Sequence, residues 1–125
     1  MKYIKNLFNG RLNRLNFLIG FVLMVVVSVA GMEVKFLIIP IMIVIFVFSY
    51  SIQVRRWHDF NKPWIYLAGI LIFLLTINVI SRDLSNIANL IYGVFLVVYT
   101  GSKGKNNFGN EDKNIGLKSI LGLKK

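Results

Sequence analysis

The sequence predicts an all-α membrane protein: a bundle of four transmembrane helices, N-in and C-in, with short interfacial basic amphipathic ends. Three observations carry that reading. The chain of 125 residues is 56% hydrophobic and only 16% charged, against roughly 25% charged in ordinary soluble domains. Its apolar residues fall in four runs of near membrane-spanning length. Its net charge of +10, from 15 Lys and Arg against 5 Asp and Glu, is crowded into the segments at one end of those runs.

The first run, residues 15–32, reads LNFLIGFVLMVVVSVAGM and lies between Arg14 and Glu33 without an ionisable side chain. The second, 36–54, is FLIIPIMIVIFVFSYSIQV, and the third, 63–81, is PWIYLAGILIFLLTINVIS. The fourth, LSNIANLIYGVFLVVYTGS, predicts a helix over 84–101. Each approaches the roughly 20 residues that a helix needs to cross a hydrocarbon core about 30 Å thick. A soluble core helix has a polar face, whereas these runs are apolar all round. Lipid offers the backbone no hydrogen-bond partner, so helices are the expected spanning form. The alternation of a membrane barrel strand is missing. The chain reads as one domain, 1–125, in which 102–125 form a cytoplasmic tail. A signal peptide competes for the first run. That run exceeds a typical signal's apolar region and lacks an A-x-A-like site, so it reads as a permanent helix.

Orientation follows from the loops. Lys2, Lys5, Arg11 and Arg14 precede the first run. Arg55, Arg56 and Lys62 separate the second from the third. Lys103, Lys105, Lys113, Lys118, Lys124 and Lys125 follow the fourth. The other two connections hold only Lys35, beside Glu33, and Arg82, beside Asp83. Thirteen of the fifteen cations therefore share one side, which the positive-inside rule places in the cytoplasm.

Helix association in lipid relies on close packing and hydrogen bonds. The small and polar residues therefore predict the inner faces: Asn16, Gly20, Ser28 and Gly31 in the first run, Ala68, Gly69, Thr76 and Asn78 in the third, and Ser85, Asn89, Gly93 and Gly101 in the fourth. Their Asn residues read as interhelical glue. Pro40 either opens the second helix or kinks it. Pro63 suits the first turn of the third helix, with Asn61 or Asp59 as its cap. Trp57, Trp64 and Tyr66 are expected at headgroup level. At the two ends, Ile4, Leu7 and Phe8, then Leu117, Ile120 and Leu121, predict short amphipathic segments lying on an anionic surface.

Three motifs add a family likeness. GRLNRLNF (residues 10–17), VRRWHDFNKPW (54–64) and GSKGKNNFG (101–109), each flanking a helix, resemble the domain of unknown function 805 family of small bacterial inner-membrane proteins. The likeness covers nearly the whole chain. It departs at Lys62-Pro63, where members usually have Ser-Gly, and at Asn110-Glu111-Asp112, where a Pro often follows the last motif. The resemblance implies a bacterial inner-membrane location and no known activity.

All three motifs fall on the cytoplasmic side of the predicted topology. Arg11, Arg14, Arg55, Arg56, His58, Asp59 and Asn106 are thus the candidate ligand or partner cluster. Arginine forks suit phosphate or carboxylate, so the expected partners are anionic lipid headgroups or an acidic partner segment, with a homo-oligomer or a membrane-protein partner also open. Plainer roles are open to each: Arg side chains snorkel to headgroups, Asp59 pairs with one of them, and His58 bonds a loop carbonyl. The alternative function is a small transporter or channel subunit acting as an oligomer. That reading has only Ser, Thr and Asn within the spans, where transport sites usually place ionisable groups. With one His and no Cys, no catalytic, metal-binding or cofactor-binding residue is assigned. Nucleic acid is not an expected partner, because the basic residues are split among short segments beside the membrane.

Overall fold

The computed structural model describes residues 6–33, 36 and 38–123. Lys2, Ile4, Lys5, Lys35, Lys124 and Lys125 lie outside them. Each of the four apolar runs holds one long helix: α1 (Arg14–Met32), α2 (Ile38–Asp59), α3 (Ile65–Ile80) and α4 (Arg82–Val98). A single turn, α5 (Leu117–Ile120), follows in the tail. Among the described residues there is no strand, only an isolated bridge between Asn106 and Gly109. The segments Arg14–Gly31 and Ile38–Asp59 are long and apolar enough to cross a membrane, with mean hydropathies of 2.0 and 1.9. α3 is as apolar but only 16 residues long.

The ends of the helices have local causes. Asn13 caps α1, its Oδ1 accepting from the Asn16 amide at 2.8 Å. Pro40 is the third residue of α2, where its missing N–H is one that a first turn leaves unbonded. Ser81 joins α3 to α4 with no further residue between them, and its Oγ takes the Leu84 amide. α3 begins at Ile65 without a side-chain cap. Neither Asn61 nor Asp59 caps it, because both belong to the end of α2.

That end differs most from expectation. α2 does not stop at Val54 but continues through Arg55, Arg56, Trp57, His58 and Asp59. Charge ends an apolar run without ending a helix. What ends this one is Asn61, held at φ +58. The Lys62 amide then bonds the Trp57 carbonyl and the Asn61 amide bonds the His58 carbonyl, both at 3.0 Å. This is a Schellman closure with Asn in the left-handed position.

α1 packs along α2 and α3 along α4, and the hairpins meet through α1 on α4 and α2 on α3. The buried apolar cluster is gathered at the motif end: Leu12, Phe17, Ile52, Val54, Trp57, Leu67, Leu96 and Ile120. Trp57 is buried in this core, and its Nε1 donates to Tyr92 Oη at 3.1 Å. Trp64 and Tyr66 are exposed. Ile120 turns inward instead of lying on a surface, and a Cβ at Gly20 would touch it at 3.4 Å. Ser28 and Thr76 bond carbonyls of their own helices, not neighbouring ones. Away from the motif end, large apolar side chains face outward on all four helices, among them Val26, Ile39, Val79 and Leu90.

Candidate functional site

The three motif segments converge on the last two turns of α2. Successive residues on a helix point about 100° apart, so Arg55 and Arg56 leave that helix toward different neighbours. Arg56 crosses to α4. Its Nε donates to the Leu96 carbonyl at 2.8 Å and its Nη2 to the Tyr99 carbonyl, capping the C-terminal end of that helix. A cation there also meets the negative end of the helix dipole. Arg55 instead takes the tail, donating to the carbonyls of Ile120 and Ser119 at 2.7 and 2.6 Å.

Asp59 sits between two arginines. Its Oδ1 accepts from Arg11 Nε at 3.0 Å and Arg11 Nη2 at 2.9 Å, and its Oδ2 from Arg56 Nη1 at 2.5 Å. Arg11 also donates to the carbonyls of Ser102, Gly104 and Gly109. All five guanidinium N–H groups of Arg11 thus find an acceptor. Arg11, Arg55 and Arg56 are each at most 1% exposed and Asp59 is 4% exposed. The ionised groups form a closed, inward-facing knot, not an open cup.

The tail is shaped to fit it. Gly101 passes so close that a Cβ would run into the Asp59 carboxylate. Ser102 then bonds the Asp59 carbonyl with its amide at 2.8 Å and its hydroxyl at 2.9 Å. Asn106 donates to the His58 carbonyl at 2.8 Å, while its Oδ1 takes the Phe108 amide and closes a turn with Gly109 at φ +119. That turn lays the Phe108 ring flat on His58, centroids 4.1 Å apart and planes within 4°. The other His58 contact runs from Nδ1 to the Gly10 carbonyl, 3.0 Å away.

Five of the seven sequence candidates therefore meet, Arg11, Arg56, His58, Asp59 and Asn106, while Arg55 leaves the same turn of α2 toward the tail. Arg14 does not join them and stands exposed. Sequence reasoning missed a second polar centre. Asp112 Oδ2 accepts from Asn16 Nδ2 at 3.1 Å and from Ser119 Oγ at 2.6 Å. Asn16 also donates to the Asn114 carbonyl and accepts from the Gly116 amide. Expected as interhelical glue, Asn16 ties the tail to α1. The usable signal was Asp112 itself, an acid in a basic tail.

Among the described residues, no group of three His, Asp or Glu side chains is placed to hold a metal ion. No curated protein and no solved structure matches the chain. A family model described as "Protein of unknown function (DUF805)" matches residues 28–110, which take in the Arg55–Asp59 run and the Asn106–Gly109 turn but not Arg11. With most of its length matched, the chain belongs to the DUF805 family.

Proposed function

We propose that this is a non-enzymatic, four-span protein of the bacterial inner membrane, with both termini cytoplasmic, that holds anionic lipid headgroups on the rim of its buried knot. The membrane placement rests on the outward apolar faces of all four helices, far beyond what a soluble surface carries. The cytoplasmic assignment rests on the charge bias of the loops.

One observation carries the binding role. The knot uses its own cations internally, while the cations bordering it in sequence are exposed. Lys103 and Lys105 flank Gly104, whose carbonyl takes Arg11. Lys62 follows Asn61, whose Oδ1 takes the Asn107 amide at 3.1 Å. Lys118 precedes Ser119, whose carbonyl takes Arg55. Arg14 opens α1 three residues after Arg11. The segments that build the knot thus carry exposed cations, which anionic headgroups attract. The stacked, hydrogen-bonded setting of His58 supports a structural part for the chain's one histidine rather than a proton-transfer one.

Native mass spectrometry from nanodiscs mixing phosphatidylglycerol with phosphatidylcholine tests this. The wild-type protein is expected to retain phosphatidylglycerol preferentially. The triple variant Arg14→Gln, Lys103→Gln, Lys105→Gln is expected to lose that preference while staying folded. Equal retention of both lipids by wild type, or an unchanged preference in the variant, contradicts the proposal.

A further inference from the structure

The knot draws the helices together at one end, and away from it they part. Two adjoining cavities follow. One, of about 720 Å³, lies among all four helices, with Phe21, Leu74, Gly93 and Leu96 in its wall. The other, of about 390 Å³, continues between α1 and α2 toward Gly31 and Ile38. Met24 and Ser49 line both, so the two adjoin, and neither is sealed. Along α2 the joint space runs from Ile38 to Gln53, about 22 Å at 1.5 Å per residue.

Its shape and chemistry select an occupant. A long apolar space of this kind suits an extended hydrocarbon chain. An apolar void excludes water, and an empty one forfeits the dispersion contacts of its walls. The end nearest the knot is polar. Gln53 Oε1 accepts from the Tyr92 hydroxyl at 3.1 Å and Gln53 Nε2 donates to Ser49 Oγ at 3.2 Å. The second Nε2 hydrogen is suited to an ester carbonyl.

We propose that this groove holds one acyl chain of a bilayer phospholipid, its ester linkage at Gln53 and Tyr92 and its methyl end toward Gly31. The inference rests on the four-span placement proposed above.

Phosphatidylcholine carrying a diazirine in its acyl chain, reconstituted with the full chain in vesicles, tests it. After photolysis, peptide mapping is expected to find adducts on the inward-facing Leu74 and Leu96 as well as on the outward-facing Phe73, Val79 and Ile91. Gly93→Phe fills the groove, where an added Cβ meets nothing within 4 Å, and is expected to abolish the inward adducts alone. Gly69→Phe adds the same ring at an exposed, equally open position outside the groove and is expected to leave them. Outward adducts without inward ones, or inward adducts that survive Gly93→Phe, overturn the acyl-chain site and leave the membrane placement standing. Absence of outward adducts overturns both.

Discussion

Asp59 carries the largest individual consequence in the molecule. It is a buried carboxylate that compensates two buried guanidiniums, and removing one partner of such a pair costs about 3–5 kcal/mol because the other charge stays buried. Asp59→Ala is therefore expected to lower unfolding stability by about that amount, measured by denaturation in mixed detergent micelles. Arg14→Ala, at an exposed position, is expected to stay within about 0.5 kcal/mol of wild type. Gly101→Ala should mimic Asp59→Ala in direction, because its new methyl group takes the space of the carboxylate. The residue types of this site were legible in the sequence, since ionisable groups are conspicuous beside apolar runs. An arginine partner for Asp59 and a loop carbonyl for His58 were legible as well, but the partners of the arginines otherwise were not. Most acceptors of the arginines are backbone carbonyls at Ser102, Gly104, Leu96, Tyr99, Ser119 and Ile120, many of them more than 40 residues away. A carbonyl leaves no mark in side-chain identity. The difference between an open cup and a closed knot was thus invisible to a reading of residue types.

At the scale of elements, the four apolar runs marked the helices because charge bounds each of them. The end of α2 was misread for the same reason. Arg55 to Asp59 looked like a loop, yet each charged group finds its partner while the backbone stays helical. The stop signal is backbone geometry at Asn61, which tolerates the left-handed conformation better than other non-glycine residues. Asn61→Gly is expected to preserve stability. Asn61→Val should cost about 1–2 kcal/mol and loosen the following turn, where Asn107 bonds the Asn61 side chain. Amide hydrogen exchange at Asn61 and Lys62 checks this, with faster exchange expected in the valine variant alone. The tail was the least legible element. Its amphipathic pattern fits burial against protein as well as burial against lipid, and the Asp112–Asn16–Ser119 bonds, with those of Arg55 to the Ser119 and Ile120 carbonyls, decide between them.

For the whole molecule, the proposed topology rests on two patterns that the fold does not alter: outward apolar faces and cations crowded at one end. The hairpins are unequal. α3 and α4, with 16 and 17 residues, reach about 24–26 Å, short of a core about 30 Å thick. In the proposed four-span placement, local thinning of the bilayer and snorkelling of Lys62 and Arg82 would cover the difference. The space between the hairpins was not legible, because it depends on how far helices part and not on what they contain. Four spans with the knot on the cytoplasmic face is the claim on which the rest depends. The chain has no cysteine, so single cysteines can be placed without a background. The most direct measurement is labelling of Glu33→Cys, Arg82→Cys, Lys62→Cys and Lys105→Cys in intact cells with a membrane-impermeant maleimide. Labelling of Glu33→Cys and Arg82→Cys from outside, and of Lys62→Cys and Lys105→Cys only after permeabilisation, is the predicted result. Protection of Arg82→Cys together with Lys105→Cys would place the α3–α4 turn on the cytoplasmic side and contradict the four-span account.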